Sequence, residues 1–164
     1  MFDPEHEAVL KKSYFMASAA ACALLGSVFI FEFIAHVAGP KVEIMPEGHE
    51  NFRRLMYGLA LLSLAVSPLV SKLVLVFLVN KKKIARAELT LKDMASLTAR
   101  RMTAMLIGMS FCEATALYGF VLFFTTGNRT DFLTLAFIGI AGIALQYPRF
   151  EHWRSWIESN IEPW

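Results

Sequence analysis

Charge is scarce in this 164-residue chain: only 18% of it is charged, while 56% is hydrophobic. Cysteine is scarcer. Cys22 and Cys112 are the only two, and each lies inside an apolar run, which argues against a disulfide framework. There is no Gly-rich phosphate loop, no nucleophile elbow and no Cys/His cluster, so nothing points to a soluble enzyme or a metal site. The chain is expected to be at most a non-catalytic subunit. Heme needs axial partners in register, and only His36 falls within an apolar run, so no cofactor is expected. A cleaved signal peptide is not expected either. The leader MFDPEHE is acidic, and the run after it exceeds the roughly 7–15 residues of a signal's apolar core.

What is present is apolar sequence in long blocks. The mean hydropathy is +0.49, too high for an ordinary soluble domain of this size. A membrane-crossing helix needs about 20 apolar residues. Four runs qualify, over residues 14–37, 55–79, 102–125 and 132–147. The fourth is short, and Tyr147 and Trp153 would finish its ends at the interface. The expected fold is all-α: one integral membrane four-helix bundle filling residues 1–164. The tail, residues 149–162, places Trp153, Ile157 and Ile161 on one helical stripe, as an interfacial amphipathic helix would.

Lys81, Lys82, Lys83, Arg86, Lys92, Arg100 and Arg101 crowd the connection between the second and third runs. Positive loops stay cytoplasmic, so four crossings put both termini in the cytoplasm, in keeping with a bacterial inner membrane. Lys11, Lys12, Arg149 and Arg154 agree; Arg53 and Arg54, with Glu43, Glu47 and Glu50 in the same loop, dissent. Orientation accounts for the basic loop, and no nucleic-acid partner is expected. The loop has no Gly or Pro, so the second and third helices are expected to run on into the cytoplasm.

The third run, LIGMSFCEATALYGFVLFF, holds Glu113 near its centre. An ionisable group there costs at least about 2.5–3.5 kcal/mol and is a functional hypothesis by default. A carboxyl taken out of water favours its neutral form, which suits a group that takes up and releases a proton. Gly108, Glu113, Tyr118 and Gly119, set in TAMLIGM and LYGFVLFF, resemble the ion-carrying helix of the proteolipid subunit c of rotary ATPases, over about residues 103–124. The resemblance implies proton transport with Glu113 as the proton-binding carboxylate, and copies of the chain in a ring or beside other membrane subunits. Ala114 stands where sodium-carrying members have a hydroxyl, and the second run has no glutamine, so protons are the expected ion. Ser110, Thr115 and Tyr118 are the expected supporting groups. The second run departs from the family's repeated Gly-x-Gly and has only Gly58. Instead, Ser63, Ser67 and Ser71 recur at steps of four and, with Gly108 and Gly119, are expected to pack helices closely. Pro68 is an expected kink.

Two further arrangements stay open. Counted from the cytoplasmic ends, Lys72 lies about eight residues deep and Glu113 about eleven, a difference of about 5 Å. A Lys72–Glu113 ion pair would make the chain a non-catalytic accessory subunit of a larger complex. Separately, LLGSVFIFE matches LIGMSFCE, and LALLSLA matches LAFIGIA, as two related hairpins would. That would make Glu32 the counterpart of Glu113, with His36 one turn on as a relay or weak metal partner. The alternative for Glu32 is a structural hydrogen bond near the outer interface. A small independent transporter ranks last, for want of a pocket or filter sequence. The alanine-rich stretch 17–23 is expected to be a packing face.

Overall fold

A computed structural model describes residues 2–39, 49–78 and 89–161. The chain is all-α, in the order α1 (Pro4–Ala38), α2 (His49–Leu78), α3 (Leu91–Thr126), α4 (Arg129–Leu145) and α5 (Phe150–Ser159). Lys81, Lys82, Lys83 and Arg86 lie outside the described residues, as do Glu43, Glu47, Val79 and Glu162.

Local signals set the ends. Pro4 occupies the first turn of α1 with Glu5 and Glu7, where a missing N–H is harmless and acids favour the helix dipole. A reciprocal capping box starts α3: Asp93 N–H donates to Thr90 Oγ1 at 3.2 Å, and Thr90 N–H donates to Asp93 Oδ2 at 3.1 Å. At the α3–α4 turn Gly127 takes a left-handed φ of 70°, closed by a bond from its N–H to Phe123 O. Asn128 then caps α4, accepting from Thr130 N–H and Asp131 N–H. Pro68 stands inside α2 without ending it.

α3 is the axis of the fold. It packs against α1, α2 and α4, whereas α1 and α2 scarcely touch each other. The first two helices therefore do not form a packed hairpin; α3 and α4 do. The residues facing α3 explain this. α1 buries Leu10, Ala17, Ala21, Val28 and Ala35 along one stripe, and α2 buries Ala60, Ser63 and Ser67. Of the alanine run only Ala17 and Ala21 are buried, since they lie on the stripe that α1 turns inward, while Ala19 and Ala23 share an exposed face. The seams hold small side chains, while Phe15, Phe29 and Phe33 on α1, Leu61, Leu69 and Phe77 on α2, and Phe137 on α4 face outward. Small residues inside and large apolar ones outside is the pattern of helices that meet by close approach in an apolar surround. α1, α2 and α3 are each long and apolar enough to cross a membrane; α4 and α5, bent 53° at their junction, make a fourth crossing if taken together.

The stripe of Trp153, Ile157 and Ile161 has a protein partner. It packs onto Leu10 and Ala17 of α1 and Met94 and Leu97 of α3, and Trp153 Nε1 donates to Ser13 Oγ at 3.3 Å. The starts of α1 and α3 and the C-terminal helix thus share one end of the bundle.

Candidate functional site

Glu113 lies on the α1 side of α3, half-buried. Its carboxylate accepts from the Ser27 hydroxyl of α1. Ser27 Oγ also donates to Leu24 O at 2.7 Å. A hydroxyl has one hydrogen, so these two acceptors compete for it. If Glu113 carries a proton, it can donate to Ser27 Oγ while Ser27 donates to Leu24 O, and every group is satisfied. If Glu113 is ionised, Ser27 turns its hydrogen to the carboxylate. One hydroxyl therefore serves both protonation states without any helix moving.

The expected partners stand elsewhere. Lys72 does not pair with Glu113: it is exposed, on a cleft with Ser71, Arg101 and Arg149. Depth allowed the pair, but α3 separates the α1 flank, where Glu113 sits, from the α2 flank. Ser110 is exposed and donates to Leu106 O at 3.0 Å. Thr115 is buried in the α2 seam, within 3.5 Å of Ala60 O. Tyr118 packs with Ala60, Leu122 and Leu135. Five residues turn a helix roughly 140° past a full revolution, so Tyr118 and Glu113 point apart. Ser27 escaped the reading because nothing in LLGSVFIFE tells which face of the first helix meets the third.

Glu32 pairs with Arg129 at the start of α4, and His36 is exposed with no bond to it. The Glu32–His36 relay is not assembled, and among the described residues no group of three His, Cys, Asp or Glu side chains could hold a metal.

A second polar cluster ties α2, α3 and α4 together. Ser67 Oγ donates to Gly108 O at 2.7 Å and accepts from Gln146 Nε2 at 2.6 Å. Gln146 Nε2 also lies 3.0 Å from Cys112 Sγ, and Ser71 Oγ donates to Ala104 O at 3.0 Å. Gly108 is tight for the same reason: a Cβ there would strike the Ser71 hydroxyl. At Gly119 a Cβ would come within 2.9 Å of Leu135 Cβ. Gln146, the first residue beyond α4, went unnoticed in the sequence, although an amide closing the apolar stretch 135–145 was the available sign.

Ser67 gives a direct test of this seam. Ser67→Ala removes both hydrogen bonds, to Gly108 O and from Gln146 Nε2, and should cost about 1–3 kcal/mol. Ser67→Leu adds overpacking and should cost about 2–6 kcal/mol in all. Thermal unfolding in detergent separates the two; a Leu variant as stable as the parent would mean that α2 does not lie on α3 there.

No protein-family model matches the chain, and no curated protein or solved structure matches it either. The functional reading therefore rests on the geometry above.

Proposed function

We propose that this chain is a proteolipid-like integral membrane subunit that binds and releases a proton at Glu113. The observation that carries the reading is the Glu113–Ser27 pairing: a mid-helix carboxylate whose hydrogen-bond partner is a hydroxyl and not a cation. An ion pair with Lys72 would have locked the charge; a hydroxyl leaves it free to change.

In this reading α1 to α4 cross the bilayer, and α5 lies across the cytoplasmic end. α4 has 17 residues, about 25 Å of helix, slightly short of the roughly 30 Å hydrocarbon core. The connection at Tyr147 and Pro148 completes the crossing at the interface. Both termini face the cytoplasm of a bacterial inner membrane. The dissenting arginines pair with acids, Arg53 with Asp131 and Arg54 with Glu50, and Arg129 at the same end pairs with Glu32. Acids count little in setting orientation, so the assignment rests on the basic loop outnumbering this pair.

A non-catalytic accessory subunit is the second reading. It is favoured by the outward row of Phe15, Phe29 and Phe33, which another subunit or a second copy of the chain would cover as well as lipid would.

A carbodiimide that attacks protonated carboxyls in apolar surroundings tests the choice. Rapid labelling of Glu113 near neutral pH is expected, lost in Glu113→Gln together with proton flux and kept in Glu32→Gln. No labelling of Glu113, with flux intact in Glu113→Gln, would reject the carrier and leave the accessory subunit.

A further inference from the structure

Where α2, α3 and the α4–α5 junction meet, the protein has a cleft of about 300 Å³. Lys72, Arg101, Arg149 and His152 line it, and among the described residues no aspartate or glutamate does. Among the described residues none of these four forms a salt bridge, in contrast to Arg53, Arg54 and Arg129 at the opposite end. Glu151, two residues from Arg149, is exposed and does not line the cleft. The Arg101 guanidinium lies over the ring of Trp156 at 5.0 Å and of Trp153 at 5.9 Å. Stacking occupies its face and leaves the edge donors for an anion. Ser71 and Gln146 also line the cleft, but both are bonded within the helix seam. Among the described residues the cleft thus offers positive charge without a counter-charge.

Its surroundings are apolar. Leu145, on the cleft wall, is 88% exposed, and Leu69 and Val76 of α2 lie open nearby. The site falls at the level where the apolar run of α3 begins, just after Arg101, and where that of α4 ends. In a bilayer this is the depth of the phosphate groups, and a long lysine can reach up to it from within the apolar run.

We propose that this cleft binds the phosphate headgroup of an anionic phospholipid, with an acyl chain lying along Leu145 and the outer face of α2. Charge complementarity selects the headgroup, and the adjoining apolar wall selects a lipid over a free anion. The proposal rests on the membrane reading above but not on proton exchange at Glu113.

The test uses the full chain in maltoside micelles, titrated with dioctanoyl phosphatidylglycerol, dioctanoyl phosphatidylcholine or sodium phosphate, and read by tryptophan fluorescence, since Trp153 lines the cleft. Saturable binding of the phosphatidylglycerol is expected, at least tenfold tighter than either comparison ligand. Lys72 and Arg149 are exposed, so the double variant Lys72→Gln/Arg149→Gln should keep its helical signal and thermal midpoint. It should weaken phosphatidylglycerol binding about thirty-fold, and each single variant about five-fold. Equal binding of phosphatidylcholine would reduce the site to an apolar groove, and equal binding of phosphate would make it a site for free anions. Either result, or unchanged binding in the double variant, overturns the proposal. Failure of the membrane reading shows separately, as a protein that does not sediment with membranes.

Discussion

Gly139→Ala should loosen the α3–α4 pair by about 1–3 kcal/mol, and Gly139→Leu should prevent its assembly. Gly139 is a point where α4 lies close against the backbone of α3. A Cβ built there would stand 2.8 Å from the carbonyl oxygen of Cys112 and 3.3 Å from the backbone nitrogen of Ala116. Both are main-chain atoms of a continuous helix, so no rotamer change relieves the clash; the helices must separate. Separation has further consequences. Gln146 follows α4 by one residue, so its bonds to Ser67 and Cys112 lengthen as the helix lifts. Phe132, buried among Phe120, Phe123 and Ala136, loses its cavity. Gly26 of α1 is the control. A Cβ there meets nothing within 4 Å, so Gly26→Ala should be neutral or stabilise by up to about 1 kcal/mol through helix propensity. Thermal unfolding in one detergent ranks the three variants. Gly26→Ala costing as much as Gly139→Ala would show that the tight α3–α4 crossing is wrongly placed.

Hydropathy made the apolar runs legible but not the helices that contain them. α1 begins at Pro4 and α3 at Leu91, each about three turns before its apolar run, because helices end where caps end them and not where lipid would. The Thr90–Asp93 box was readable as such a start. The polar extensions then gave Trp153, Ile157 and Ile161 somewhere to pack, which a stripe on its own could not specify. The site divides in the same way. Composition picks out Glu113, since a lone carboxylate in an apolar run is visible without any fold. Its partner is not visible, because depth along a helix follows from counting, whereas the direction a side chain faces depends on which neighbour each helix selects. Lys72 had the right depth and the wrong flank. Ser27 had no mark but its hydroxyl. Asp131 was hidden for a different reason: in TTGNRTD it reads as one more turn residue, yet it is 1% exposed.

Arg53→Met should destabilise the protein by about 2 kcal/mol through Asp131. Arg53 Nη2 donates to Asp131 Oδ1 at 2.7 Å, Tyr57 Oη donates to the same oxygen at 2.9 Å, and Asn128 Nδ2 donates to Oδ2 at 3.0 Å. The carboxylate thus clamps the start of α2 to the start of α4, at the end of the bundle away from the termini. Breaking a buried pair by removing one partner typically costs about 3–5 kcal/mol. Here the Arg53 side chain is 46% exposed, so solvent already screens part of the attraction and the lower figure is the sound expectation. The loss comes mainly from Asp131, left charged with only Tyr57, Asn128 and the α4 amides around it. Asp131→Asn should cost less, about 1 kcal/mol, because the freed arginine can turn to water and the amide oxygen still accepts from Tyr57. The double variant Arg53→Met/Asp131→Asn should then be more stable than Arg53→Met alone, since no buried charge is stranded. A double-mutant cycle of thermal stabilities measures the coupling. Additive losses would show that Arg53 and Asp131 act independently, and that this end of the bundle is held by the apolar seams without this clamp.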